Sequence, residues 1–172
     1  MIKWHKRFMN IAKEVSTWSK DFTQIGAIIV KDKRILSTGY NGFPKSLNDD
    51  KERIYNRELK LKFTIHAELN SLLNALEHGI SVRDSTLYVY GLRPCHECAK
   101  SIIQSGIKTV VYFNKASQTS SWSESCDLAE SMFKESGVNL IDITKITQKI
   151  GDQEFDDYIQ EIAFINESIS HL

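Results

Sequence analysis

Strands and helices alternate along the second half of this chain, and that order limits the fold more than any other feature. Apolar runs of strand length occupy residues 87–90, 109–113 and 138–143. Between them, residues 94–104 and 123–136 carry apolar side chains at helical spacing. Consecutive strands joined by helices pair in parallel through right-handed crossovers, with the helices on the faces of the sheet. The sequence therefore predicts an α/β fold.

The first half of the chain predicts a hairpin and further helices. Residues 26–30 and 35–40 are strand candidates on either side of a polar turn. Residues 2–18 and 66–78 have the apolar spacing of amphipathic helices. The polar stretch 45–62 is predicted to be a loop that runs into a solvated helix rather than a nucleotide clamp, because its acidic residues offset the basic ones.

Length and composition favour one folded domain with a tail. The chain has 172 residues, of which 41% are apolar and 26% are charged. These fractions are ordinary for a folded domain and unlike those of a disordered chain. We expect the domain to span residues 1–143. Residues 144–172 form a C-terminal extension, which is predicted to be helical from the spacing of its apolar side chains between Phe155 and Ile165.

Charge and cysteine count exclude several classes of protein. Lys and Arg number 22, as do Asp and Glu, so the net charge is zero and a nucleic-acid partner is not expected. The sequence has no apolar run long enough to cross a bilayer, and its N-terminus does not resemble a signal peptide. No membrane contact and a cytoplasmic location are therefore expected. Three cysteines cannot make a disulfide framework, and they suit a metal or redox site.

Two short motifs contain the residues suited to a metal centre. One is His66-Ala67-Glu68, and the other is Pro94-Cys95-His96-Glu97-Cys98, each placed where a helix is predicted to begin. Cys95 and Cys98 are three residues apart on a helix, so both thiolates can reach one ion. With His66 they make three ligands for Zn²⁺ and leave the fourth position to water. Glu68 is close enough in sequence to exchange protons with that water without being a ligand.

Other interpretations of these cysteines stay open at this stage. A Cys-x-x-Cys pair also occurs in structural zinc sites and in redox pairs. A structural site needs a fourth protein ligand, for which His96 and Cys126 are the obvious candidates. We expect His96 and Glu97 to point away from the ion, and we expect Cys126 to be a small buried side chain.

The motifs resemble those of the cytidine and deoxycytidylate deaminase family, and most closely those of its deoxycytidylate branch. The resemblance covers residues 8–143 and implies a three-layer α/β/α fold around a five-stranded mixed sheet. It rests on these stretches: Ser16-Thr17-Trp18-Ser19-Lys20-Asp21, Gly26-Ala27-Ile28-Ile29-Val30, Ser37-Thr38-Gly39-Tyr40-Asn41-Gly42-Phe43-Pro44, His66-Ala67-Glu68-Leu69-Asn70, and Pro94-Cys95-His96-Glu97-Cys98-Ala99-Lys100 with the residues that follow to Ile107.

The resemblance implies an activity and a set of site residues. The reaction is the hydrolytic deamination of a cytosine nucleotide, with dCMP converted to dUMP and ammonia. One Zn²⁺ is held by His66, Cys95 and Cys98, and Glu68 carries protons. The implied substrate contacts are Asn41, Ala67 and Lys45. In relatives an Arg-Gly pair commonly stands where this chain has Lys45-Ser46, and a lysine lacks the forked geometry with which arginine binds phosphate. Arg93 is a further departure, and it is either a surface charge or a substitute phosphate contact.

The resemblance also implies an assembly and a mode of regulation. It implies a homo-oligomer, either a hexamer or a dimer, and regulation by a nucleotide bound with Mg²⁺. The alternative functions are deamination of free cytidine or deoxycytidine, deamination of adenosine in tRNA, and nucleotide binding by a zinc protein without catalysis. The absence of a net positive charge argues against the tRNA substrate.

Overall fold

The computed structural model describes residues 2–115 and 120–144. The predicted extension over 144–172 therefore lies, except for Thr144, outside the described residues. Among the described helices, none has the length and apolar character that crossing a bilayer requires. The elements are α1 Ile2–Ser16, β1 Gly26–Lys31, β2 Arg34–Tyr40, α2 Lys51–Tyr55, α3 Arg57–Phe63, α4 Ala67–Glu77, β3 Thr86–Gly91, α5 His96–Gln104, β4 Thr109–Asn114, α6 Ser120–Ser136 and β5 Asn139–Asp142.

The five strands form one mixed sheet in the order β2-β1-β3-β4-β5. Strand β1 runs antiparallel to both β2 and β3, which confirms the predicted hairpin. Strands β3, β4 and β5 are parallel, as the alternation of strands and helices predicted. Because parallel strands end at the same edge of a sheet, the loop that leaves β3 toward Cys95 starts at the edge where β4 and β5 also end.

Helices cover both faces of the sheet, which confirms the three-layer α/β/α fold. Alternate residues of a strand point to opposite faces. On β1, Ala27 and Ile29 pack in a core with residues of α4, α5 and α6. Ile28 and Val30 point the other way and pack with residues of α1. The layer that contains α4 and α5 is the one that carries both predicted motifs.

The polar stretch 45–62 differs from its prediction. It holds two short helices, α2 and α3, instead of one. Asn56 ends the first helix and begins the second, and its side-chain oxygen accepts a hydrogen bond from the Leu59 amide at 3.2 Å. An asparagine at this position satisfies one of the free amides at a helix N-terminus. The break turns α3 toward the segment that leads into His66.

Helix α4, which carries Glu68, lies directly on β2 at Gly39. A Cβ atom at Gly39 would lie 2.3 Å from the Ser71 amide nitrogen and 2.5 Å from the Ala67 carbonyl oxygen. These are backbone atoms of α4 and cannot rotate away. The glycine therefore sets the distance between the helix and the sheet.

We expect Gly39→Ala to destabilise the protein by about 1–3 kcal/mol, the usual cost of overpacking a tight contact. Urea denaturation measures the loss. Gly42→Ala is the control, because a Cβ at Gly42 would meet its nearest atom, on the Tyr40 ring, at 3.6 Å. Equal stability of the two variants would show that α4 moves away from β2 without cost.

Candidate active site

The N-termini of α4 and α5 bring the predicted metal ligands together. His66 is the N-cap residue of α4, and Cys95 is the N-cap residue of α5; both have extended backbone conformations. Cys98 lies in the first turn of α5 and is buried, as is Cys95. Helix N-termini carry partial positive charge, which favours the thiolate form of nearby cysteines. Two helix termini thus face the same small volume.

The three ligand atoms have the spacing that a tetrahedral zinc site requires. His66 Nδ1 lies 3.4 Å from Cys95 Sγ and 3.4 Å from Cys98 Sγ, and all three atoms lie within 4.8 Å of one another. Tetrahedral bonds of ordinary Zn–S and Zn–N length would place nitrogen and sulfur about 3.5 Å apart. The residues therefore fit Zn²⁺. Within the described part of the chain, no further His, Cys, Asp or Glu joins this cluster, so one coordination position is left for water.

Hydrogen bonds among the three ligands shift their pKa values. Hydrogen bonds with Cys98 and, to a smaller extent, with His66 together lower the pKa of the Cys95 thiol to about 4, although burial opposes the shift. The hydrogen bond with Cys95 raises the pKa of the Cys98 thiol. The bond to Cys95 raises the pKa of His66 to about 9. Cys95 is thus held as a thiolate by two neighbouring protons, which a bound dication would displace.

Glu68 lies beside this cluster and reaches the same cavity. It belongs to the first turn of α4, and 5% of its surface is exposed. Burial raises the pKa of its carboxyl group, although the charge on His66 opposes the shift. A carboxyl group with a raised pKa accepts a proton more readily than an ordinary carboxyl group does, and it can return that proton to a substrate. Its position and its burial therefore suit a proton carrier.

A cavity of about 150 Å³ opens over Glu68 and the metal ligands His66 and Cys95. Trp122 of α6 forms one wall, where its ring centroid lies 5.9 Å from that of His66. The remaining wall and rim contain apolar, hydroxyl, amide and basic side chains and the carboxylate of Asp21. They include Thr23, Ile25, Asn41, Arg57, Lys60, Leu61, Leu92 and Arg93.

Asn41 lines this cavity, and its side chain also fixes the neighbouring loop. Its Oδ1 accepts a hydrogen bond from the Ile25 amide at 2.8 Å, and its Nδ2 donates to the Thr23 carbonyl at 2.9 Å. Ser19 Oγ donates to the Asn41 carbonyl at 2.7 Å. Since an amide group has two N–H donors, one of them is left over after these contacts.

Neither of the other two predicted substrate contacts is among the residues that line the cavity. Ala67 is fully buried in the first turn of α4. The ammonium group of Lys45 pairs with the carboxylate of Glu77, the last residue of α4. Glu77 stands nine positions after Glu68, which is about 13 Å along a helix. Substrate contacts by Ala67 and Lys45 stay predictions.

The interpretation of residues 45–62 as a solvated face did not anticipate that three residues of α3 line the cavity: Arg57, Lys60 and Leu61. Arg57 and Lys60 both line the cavity, at spacing i, i+3 on α3. The side chain of Lys60 is 17% exposed, and its ammonium lies 2.9 Å from the Asp21 carboxylate. Asp21 is distant from Lys60 in sequence, so the sequence alone does not show that the two side chains pair. The i, i+3 spacing was the only available signal.

Neither of the two residues considered as a fourth metal ligand joins the cluster. His96 Nδ1 lies 2.7 Å from Ser125 Oγ on α6. Cys126 is buried within α6, and its thiol donates to the Arg93 carbonyl at 3.4 Å. The structural-zinc alternative therefore lacks its fourth protein ligand among the described residues.

Comparison with known proteins gives consistent matches. The cytidine and deoxycytidylate deaminase zinc-binding region matches residues 2–114. A deoxycytidylate deaminase of Mus musculus is 35% identical over 156 residues, covering 87% of this chain and 84% of the mouse protein. An uncharacterized deaminase of Aliivibrio fischeri is 38% identical over 140 residues, covering 80% of this chain and 92% of that protein.

A solved structure matches the fold as well as the sequence. The dCMP deaminase of cyanophage S-TIM5, crystallised with dCMP and dUMP, is 26% identical with a TM-score of 0.66. The match covers 83% of this chain and 98% of the phage chain. From the matched zinc-binding region, the shared fold and the His66, Cys95 and Cys98 cluster, we conclude that the chain belongs to the cytidine and deoxycytidylate deaminase family.

Proposed function

We propose that the chain catalyses the zinc-dependent hydrolysis of dCMP to dUMP and ammonia. One observation carries the proposal. His66 Nδ1 lies 3.4 Å from the sulfur atoms of Cys95 and Cys98, and the buried Glu68 lines the same cavity as His66 and Cys95. The named relatives that deaminate dCMP support the choice of substrate. When bound to His66, Cys95 and Cys98, zinc would supply a Lewis acid that makes water a better nucleophile.

Glu68 is the group that moves protons in this scheme. Addition of water at C4 of cytosine requires a base for the water proton and an acid for N3. Cleavage of the C4–N4 bond then requires a proton on the leaving amine. One carboxyl group can make all of these transfers. It takes the water proton and gives it to N3, which returns it to the carboxylate form. It then takes the proton of the new C4 hydroxyl and gives it to the amine, which leaves as ammonia while the C4 carbonyl forms. The buried position of Glu68 keeps bulk water from competing for these protons.

Arg57 is the cavity residue best suited to bind the 5′-phosphate. The charge of Lys60 is offset by Asp21, and that of Arg93 is offset by Asp127 and Glu130. Arg57 is exposed at the rim, and no ion pair to it is found among the described residues. A free guanidinium group can bind phosphate through two parallel hydrogen bonds.

We expect Arg57→Gln to raise KM for dCMP about 10- to 100-fold, as for the loss of a hydrogen bond to a charged group. The KM for deoxycytidine is expected to stay the same, because deoxycytidine has no phosphate. Ammonia release measures both. Lys51→Gln is the control, since it removes an exposed charge from α2 outside the cavity lining. A parallel rise in KM for both substrates would refute a phosphate contact at Arg57.

A substrate panel tests the proposed function itself. Ammonia release is measured from dCMP, CMP, deoxycytidine and adenosine in tRNA, with dCMP expected to give the highest kcat/KM. The zero net charge supports a small substrate over tRNA. Turnover of another member of the panel without turnover of dCMP contradicts the proposal. A chain that binds dCMP and zinc but turns over none of the four contradicts it as well.

Assembly, regulation and location are further parts of the proposal. We propose a cytoplasmic homo-oligomer, a hexamer or a dimer, that also binds a regulatory nucleotide with Mg²⁺. The family resemblance supports the regulation and the assembly. Assembly has additional support from an apolar groove between α4 and α5, where Leu73, Leu76 and Ile80 are exposed. Sedimentation with and without dCTP and Mg²⁺ tests the assembly and its response to the regulatory nucleotide.

A further inference from the structure

Arg93 joins the loop before Cys95 to helix α6. Its Nη2 lies 2.6 Å from Asp127 Oδ1, and its Nη1 lies 3.3 Å from Glu130 Oε2. Both acids stand on α6, one turn apart, so the planar guanidinium spans them. The Arg93 side chain is only 17% exposed, whereas each acid is more than half exposed. Of the two roles considered for Arg93, a simple surface charge does not fit a side chain that is this buried.

The contacts of Arg93 also argue against its alternative role as a phosphate ligand. Two carboxylates face one guanidinium group, so this part of the cavity wall has no spare positive charge. Both terminal nitrogens are engaged with α6, and the third nitrogen, Nε, is buried and finds no hydrogen-bond partner within residues 2–115 and 120–144. A phosphate placed here would have to displace Asp127 or Glu130.

Two more contacts attach the same loop to the same helix. The Arg93 carbonyl accepts a hydrogen bond from the Cys126 thiol at 3.4 Å. His96 Nδ1 lies 2.7 Å from Ser125 Oγ. All of these contacts lie within about two turns of Trp122, the α6 residue that packs against the His66 ring and forms a cavity wall.

We propose that Arg93 is a positioning residue, which fixes the first turns of α6 against the metal loop and thereby holds Trp122 over His66. The inference rests on the proposed function for its effect on turnover, but the placement of Trp122 is a separate claim. Trp122 and His66 flank the reacting end of the cavity, not the rim at Arg57 where the phosphate is proposed to bind. The effect of Arg93 on turnover therefore does not depend on whether the substrate has a phosphate.

The kinetic test compares Arg93→Met with the double variant Asp127→Asn/Glu130→Gln, which keeps Arg93 but removes the negative charges of its two partners. In both variants kcat/KM is expected to fall about 10- to 100-fold, the loss that follows when reacting groups are misplaced by about an ångström. The loss should be equal for dCMP and deoxycytidine, and Arg93→Lys should fall between parent and Arg93→Met. Glu135→Gln, an exposed residue of α6, is the matched control. A loss confined to dCMP, or a gain for dCMP in the double variant, would identify Arg93 as a phosphate ligand and overturn the inference.

Fluorescence tests the placement of Trp122 without reference to turnover. The chain has three tryptophans, so replacing Trp4 and Trp18 by Phe leaves Trp122 as the only one. In that background, acrylamide is expected to quench Trp122 more strongly in Arg93→Met and in the double variant. Unchanged quenching would overturn the inference even if the enzyme is active.

If the parent proves inactive on dCMP, the proposed function fails, while increased quenching still supports the inference. Should Arg93→Met fail to fold, the double variant gives the answer alone, because it changes only exposed acids.

Discussion

Glu68→Gln is expected to lower kcat for dCMP by about two to four orders of magnitude, the usual contribution of a general acid–base group. Glutamine fills the same volume at the start of α4 but cannot take up and return a proton. KM is expected to change little, because the substitution removes a transfer step and not a wall of the cavity. Steady-state ammonia release gives both constants.

Measurements of zinc content and stability show whether the fall in kcat of Glu68→Gln comes from the lost proton transfer or from a damaged structure. Glu68 is buried, and burial raises the pKa of its carboxyl group, so a neutral amide at this position carries no penalty for desolvating a charge. We therefore expect the variant to keep its zinc and its midpoint of urea denaturation. Glu77→Gln on the same helix is the control, since Glu77 pairs with Lys45 at the surface. If Glu68→Gln turns over dCMP as fast as the parent, another group carries the protons.

The elements of the fold were predictable because their signals are local. Strand β3 was predicted over 87–90 and observed over Thr86–Gly91, and α5 was predicted over 94–104 and observed over His96–Gln104. The parallel order followed from alternation, since a helix between two strands forces a crossover. The mixed character of the sheet was implied by the family resemblance.

The zinc ligands were predictable for a similar reason. Cys95 and Cys98 are one helical turn apart, so their proximity is a property of the sequence itself. The sequence motif implied that His66 would join them, but the physical cause lies in the packing. Helix α4 reaches the cluster because Gly39 lets it lie directly on β2, and helix packing of this kind cannot be read from spacing.

The cavity residues show where sequence reasoning ends. In the sequence, Arg57 and Lys60 are members of a mixed-charge surface helix. In the structure, the Asp21 carboxylate offsets the charge of Lys60. Arg93 looks like an isolated charge until α6 supplies two acids more than 30 positions later. The partners of Lys60 and Arg93 are distant in sequence, and only the fold determines which distant side chains meet.

Cys98→Ala is expected to abolish zinc binding and, with it, activity. Alanine leaves His66 and Cys95 as the only ligands of the cluster, and two ligands do not hold zinc against dilution or a chelator. Metal analysis of the purified protein should give about one zinc per chain for the parent and close to none for the variant.

Stability gives a second measure of the same substitution, and Cys126→Ala gives its control. A ligand that binds only the folded state stabilises it by about 4 kcal/mol at a thousand times its Kd. Added zinc should therefore raise the unfolding free energy of zinc-depleted parent and leave that of Cys98→Ala unchanged. Cys126 is just as buried but lies outside the cluster, so Cys126→Ala should retain both the zinc and its stabilising effect, despite the cost of a small cavity. Full zinc content in Cys98→Ala would contradict the assignment of Cys98 as a ligand, whereas loss of zinc from Cys126→Ala alone would move the site to α6.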